Sequence, residues 1–430
     1  MTGRPSRPDV RPVAVVVDAY STGAALAPAF AAAGWRTVHV SSSPVVPEPY
    51  RASFRPGDFI GLIAHDGDLR RTLNALLPHA PVVVLPGAEC GVELADRLAA
   101  GLGLPGNGTE LSRARRDKFL MGQVVAASGL TAAPQHVTDN PADAVAWAVA
   151  RGDWPVVVKP LDSAGTDGVT FCHDAVAVDR AFRALHGRPN RLGSVNDRLL
   201  VQGFLRGRQY FVNTVSLNGR HLIAEIWAES KREVADAAFI NDLEMLMPRA
   251  GAVQDALAAY TSAVLDALGI AYGPAHTELM LTADGPVLIE TAARLMGTVE
   301  QQAVRRSLGV TQADLAVQAV TDPAGFLSRL DQPYRMAAEI WCVALISEHE
   351  GIITGRSGFA RIEGLASYAS SIAVAGPGVR LRPTIDYFSS PGVVYLVHED
   401  AAVLAADYAR IRAWEREGAI FDLAPASGPG

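Results

Sequence analysis

The chain has 430 residues, too many for one ordinary domain, and 49% of them are hydrophobic against 19% charged. That balance excludes a disordered protein and supplies roughly two to four buried cores. A formal charge of −7 leaves no overall basic field, so neither nucleic acid nor a membrane surface is expected as a partner, and an anionic ligand needs a local cationic site.

Short apolar runs alternate with helical text over 13–105. VAVVVD (13–18), TVHV (37–40), FIGLIA (59–64) and PVVVL (81–85) read as strands, and 23–33 as an Ala-rich helix. Continuous hydrophobicity marks strands covered on both faces, which predicts an open parallel sheet. The turn after the first strand is not GxGxxG, so a small substrate near the strand ends is as good a reading as a dinucleotide. The cluster Leu104-Pro105-Gly106-Asn107-Gly108 suggests a boundary. Arg113, Arg115, Arg116 and Lys118 follow closely, a run that by itself reads as a solvated helix face. The strand VVVKP (156–160) opens into Ser163, Ala164, Gly165 and Thr166. Small residues let backbone N–H groups close around phosphate oxygens, and Lys159 adds a point charge; a flexible loop is the bland alternative.

Residues 210–217 and 221–227 read as strands paired around Asn218-Gly219, and 229–242 as a polar, mobile loop. A helix over 251–268 precedes the stretch YGPAHTELMLTADGPVLIETAARLMG (272–297), read as a β-hairpin. Folding it about Ala283-Asp284-Gly285 sets Glu278 and Glu290 opposite each other or one residue off, with Cβ atoms about 5 Å apart. Two carboxylates so placed repel unless a cation lies between them. Hard oxygen ligands suit Mg²⁺, which usually also binds substrate phosphates. Two solvated surface acids are the commoner outcome for hairpins in general. Arg294 adds a positive fork suited to a carboxylate or phosphoryl oxygen. Mixed strands, turns and a final helix fill the rest, where packing or dimerisation is expected. Three dispersed cysteines, no apolar run of membrane-span length and no signal-like N-terminus fit a cytoplasmic protein.

The phrases VVVKPLDSAGTDGV, LVQGFLRGRQYFV, GPAHTELML and VLIETAARLMG, in that order, resemble the ATP-grasp superfamily. Within it the chain is most similar to the carboxylate–amine ligases that join L-amino acids into dipeptides. The resemblance implies an α/β and α+β protein with the ATP-grasp fold. Its parts would be a pre-ATP-grasp α/β domain (1–105), an ATP-grasp domain (106–320) with a lid at about 131–200, and a C-terminal α+β domain (321–430). It implies ATP with Mg²⁺, two ions expected and Mn²⁺ an allowed substitute, small carboxylate and amine substrates (amino acids), and a homodimer. Lys118 and Lys159 would contact the α- and β-phosphates, and Ser163, Ala164, Gly165 and Thr166 would form the flap over the triphosphate. Gln202, Gly203, Phe204 and Leu205 would read adenine, Gln209 would face the ribose, and Lys231 would reach the γ-phosphate. Glu278 and Glu290 would hold the metal. Arg294 and His276 would face the carboxylate and its acyl phosphate; His276 is open equally to a base, a positioning or a structural role.

Two departures stand out. Glutamine occupies the hinge and ribose positions where glutamate is usual, which keeps an acceptor but removes a charge. Ala292 stands where many members carry asparagine, leaving that ligand position to water or to Glu290 bridging two ions. Rival readings are an ATP-grasp enzyme with another acceptor (a carboxylase or a carrier or peptide ligase) and a nucleotide-binding regulator without catalysis.

Overall fold

A computed structural model describes residues 11–163, 165–234, 238–386 and 389–425. Residues 13–86 build a four-stranded sheet in the order Gly61–Ala64, Arg36–Ser41, Val13–Val17, Val83–Pro86. Every pairing in it is parallel, as the unbroken apolar runs predict. Its strand order reverses beside Val13–Val17, so the turns after Val17 and after Pro86 come together at the carboxyl ends of the strands, where ligands bind in open α/β sheets. Two glycines allow that approach: a Cβ on Gly23 would fall 2.1 Å from the carbonyl oxygen of Gly87.

A second four-stranded sheet, antiparallel, runs Gln135–Thr138, Leu199–Gly203, Val156–Pro160, Thr170–Cys172. Alternation divides its faces. Val156, Val158, Leu199 and Val201 pack with Phe182 of the helix Ala175–Leu185 and Ala144 of the helix Pro141–Arg151. Val157, Lys159 and Gln202 point the other way, toward a cavity.

The third and largest sheet has eight strands, ordered Gly285–Ala292, Gly273–Thr282, Arg208–Leu217, Arg220–Val234, Ala238–Leu246, Glu339–Ala344, Val393–His398, Tyr368–Ile372. All its pairings are antiparallel. One face buries Tyr210, Val212, Ile226, Ala228, Leu279 and Leu288 against Leu257 and Val264 of the helix Ala252–Ala267. Strands 208–217 and 220–234 meet in the two-residue turn Asn218-Gly219, both at positive φ as that hairpin geometry requires.

The polar stretch 229–242, expected to be a mobile loop, is instead largely strand: Glu229 pairs with Glu244, Ser230 with Leu243, Lys231 with Asn241 and Arg232 with Ile240. Its polarity has another cause. One face of this ladder borders a cavity, so Glu229, Lys231, Asn241 and Glu244 stand where a core-facing strand carries apolar residues. The arginine run 113–116 also departs from a solvated helix face. Arg115 is fully buried, 2.9 Å from Asp96 Oδ2 and donating to the Leu268 carbonyl, and Arg116 pairs with Glu89. Among the described residues no helix is long and apolar enough to cross a membrane.

Candidate active site

A cavity of about 720 Å³ lies between the smaller antiparallel sheet, the cavity-facing side of the large sheet and the turns at the end of the parallel sheet. The hairpin of strands Gly273–Thr282 and Gly285–Ala292 supplies its floor. Glu278 and Glu290 are direct cross-strand partners there, with a bulge immediately after that leaves Ile289 unmatched. The helix Lys118–Ala127 begins beside them, started by Asp117, whose carboxylate accepts the backbone N–H groups of Phe119 and Leu120. This start aims the Lys118 ammonium at the hairpin. Its Nζ lies 2.9 Å from Glu290 Oε2 and donates to the Ser163 carbonyl at 2.7 Å.

Lys159, 5% exposed, comes from the facing sheet. Burial, then the charge of Lys118, push its ammonium down to about 8, while Glu290 and Glu278 pull it back up. Glu278 is shifted the other way. Burial alone favours its protonated form, but the hydrogen bond and charge of His276, with Lys231 and Lys118, outweigh that and lower its pKa. Its carboxylate also accepts from Gln209 Nε2 at 3.2 Å. A glutamate at 209 could not make that bond while ionised, so the departure to glutamine has a local reason.

His276 is buried, its Nδ1 2.8 Å from Asn213 Oδ1 and its Nε2 3.5 Å from Glu278 Oε1. Asn213 donates through Nδ2 to Glu225 Oε2, which fixes its amide so that the oxygen faces the ring. Nδ1 therefore donates to Asn213, and Nε2 is turned to Glu278. Lys231 also borders the cavity, 3.6 Å from Glu229 Oε2. Ser163, Gly165 and Thr166 form the roof, and Gln202, Gly203, Phe204 and Leu205 one end. Ala164 lies outside the described residues.

Arg294 enters the same cavity, but its Nε donates to Glu89 Oε2 at 2.8 Å and its NH1 to the Leu295 carbonyl. Glu89 sits in the turn after strand Val83–Pro86 and is gripped by Arg116 as well. Burial raises its pKa, yet the two guanidiniums override that and hold it down at about 2. Sequence reading missed Glu89, Arg116, Glu229 and Glu244; only the position of Glu89 at a strand end hinted at it.

Among the described residues no group of three or more His, Cys, Asp and Glu side chains could cage a metal. The two opposed carboxylates fit a divalent ion that takes its remaining ligands from a substrate's phosphates and water. The three lysines suit those phosphates.

Residues 153–302 match the family model of the ATP-grasp domain. Over 410 residues the chain is 35% identical to Dapdiamide A synthase of Enterobacter agglomerans, covering 93% of this chain and 95% of that protein. The chain belongs to the ATP-grasp family. It is an ATP-dependent carboxylate–amine ligase of that family, forming amide bonds. Its fold matches the crystal structure of an L-amino acid ligase from Bacillus licheniformis with a TM-score of 0.75, at 17% identity, over 97% of this chain and 99% of the other. A carboxyaminoimidazole ribonucleotide synthase from Aspergillus clavatus, complexed with ATP, matches with a TM-score of 0.69 at 14% identity, over 95% and 99%.

Proposed function

We propose that this ligase activates an amino acid at its carboxylate as an acyl phosphate and passes the acyl group to an amine, giving a dipeptide or related amide, ADP and phosphate. The observation that carries the reading is the convergence of Lys118, Lys159, Lys231, the opposed Glu278 and Glu290, and Arg294 on one cavity. The similarity to Dapdiamide A synthase and to an L-amino acid ligase supports amino-acid substrates.

A substrate carboxylate attacks the γ-phosphorus and ADP leaves. Carboxylate and triphosphate repel, so the site must screen charge while holding the two in line. Lys118, Lys159 and Lys231 screen the phosphates. Glu278 and Glu290 would hold Mg²⁺, as one or two ions with Mn²⁺ as a substitute, and the ion when bound neutralises phosphate oxygens. His276 orients Glu278, and Gln209 steadies the same carboxylate. Residues of about 131–200, with Ser163, Gly165 and Thr166 at their tip, act as the lid that keeps water from the acyl phosphate. The amine, having lost its ammonium proton, then attacks the acyl carbon, Arg294 stabilises the oxyanion, and phosphate and a proton depart to leave the amide.

Incubation with ATP, Mg²⁺ and pairwise mixtures of the protein amino acids, followed by ADP assay and product mass, tests this reading. ADP and a mass equal to the two amino acids less one water are expected. Glu290→Gln is expected to lower kcat by at least about a hundredfold while the protein stays folded by circular dichroism. Unchanged turnover in that variant contradicts the metal assignment.

A further inference from the structure

Six carboxylates line the cavity among the described residues: Glu89, Asp167, Glu229, Glu244, Glu278 and Glu290. Four are accounted for. Glu278 and Glu290 make the metal pair, and Glu89 is clamped by Arg116 and Arg294. Asp167 accepts the Ser163 hydroxyl at 2.6 Å and the Arg191 backbone N–H at 2.8 Å. The other two, Glu229 and Glu244, are direct cross-strand partners on the strands of the large sheet beyond Arg208–Leu217. Like charges placed opposite one another weaken a strand pair, so this placement calls for a compensating cation.

The compensation present is partial. Glu229 is 4% exposed and its Oε2 accepts no hydrogen bond; the Lys231 ammonium stands 3.6 Å off, beyond hydrogen-bonding reach. A buried carboxylate oxygen with no donor is costly unless something else supplies one. Glu229 and Glu244 both line the cavity, which continues beyond them to Cys342, Ala344 and Val393. An ammonium matches what is missing: one positive charge, compact, with three N–H donors.

We propose that Glu229 and Glu244 together bind a protonated amino group of the acceptor substrate. This rests on the ligase reading above, in which an amine must enter the cavity and would do so as its ammonium form near neutral pH. Elimination supports the choice, because the other cavity carboxylates have close cations or donors, whereas this pair has only the Lys231 ammonium at 3.6 Å and the neutral donors Asn241 and Cys342. Electrostatics agree. Burial, helped by Glu278 against the pull of Lys231, raises Glu229 to about 7, and burial with the charge of Glu229 raises Glu244 to about 8. A cation between them offsets the mutual repulsion and opposes the effect of burial.

The test compares two acceptors with the same carboxylate: the amino acid identified by the product-mass assay, and hydroxylamine, which is largely uncharged at pH 7.5 and small enough to reach the acyl phosphate unaided. For Glu229→Gln and Glu244→Gln the ratio of amide to hydroxamate product is expected to fall at least tenfold, through a raised KM for the amino-acid acceptor, with the KM for ATP moved less than twofold. A ratio equal to that of the unaltered enzyme overturns the proposal. So does a parallel loss of both products with a raised KM for ATP, which would make the pair part of the nucleotide site. An unaltered enzyme that releases ADP with neither acceptor contradicts the ligase reading itself, and this inference falls with it.

Discussion

Lys159 is buried among charges that nearly balance: Lys118 beside it, Glu290 and Glu278 in front. With a folded pKa of about 8 it sits below the ordinary lysine value. The folded state therefore sheds its proton in a pH range where the unfolded state keeps it, and this group's contribution to stability rises with pH between about 8 and the unfolded value. Anionic phosphates reverse the balance and favour the charged form. Nucleotide binding at pH 8 is thus expected to take up a fraction of a proton, seen by calorimetry in two buffers of different ionisation enthalpy. The uptake should vanish in Lys159→Met; equal heats in both buffers for the unaltered protein would contradict it. The lysine was legible in the sequence because it ends a strand and opens a small-residue loop. Glu89 was not, because its partner Arg294 lies 205 positions away and no local pattern links them.

The hairpin 273–292 shows how far an element can be read from its own text. A short turn fixes register, and register puts Glu278 against Glu290. The neighbouring ladder of Arg220–Val234 and Ala238–Leu246 defeated the same logic. Alternation there is between Ala228 or Ser230 on one face and Glu229 or Lys231 on the other, and a charged inner face looks like loop when the cavity is not in view. Gln209 belongs to this scale too, since its amide crosses from one strand to Glu278 on the next. Gln209→Glu replaces a donor with a third carboxylate and is expected to destabilise the protein by about 1 kcal/mol. The loss should shrink on adding Mg²⁺, which thermal unfolding with and without the ion would record. Identical melting of the two proteins would show that the amide contributes nothing.

Across the whole molecule, the final helix Ala401–Arg416 is fastened to the large sheet by one buried cation. Arg412 meets Glu415 Oε2 at 2.6 Å and Asp242 Oδ1 at 2.7 Å, and donates to the carbonyls of Asp242 and Ala344. Removing it strands Glu415 in the interior. Arg412→Ala is expected to lower stability by about 3–5 kcal/mol, measurable by denaturant unfolding, and the double variant with Glu415→Ala should recover part of that. A loss under about 1 kcal/mol would mean the network behaves like a surface pair. None of this was readable in order, because 170 positions separate Arg412 from Asp242. The large sheet has one further consequence. Glu290, Glu278, Gln209, Glu229 and Glu244 stand on five successive strands, Gln209 two residues along from the position opposite Glu278, and backbone pairing holds neighbouring strands about 4.8 Å apart. That row is a fixed gauge: movement of the opposite wall changes how tightly a guest is enclosed, but not the span it must bridge.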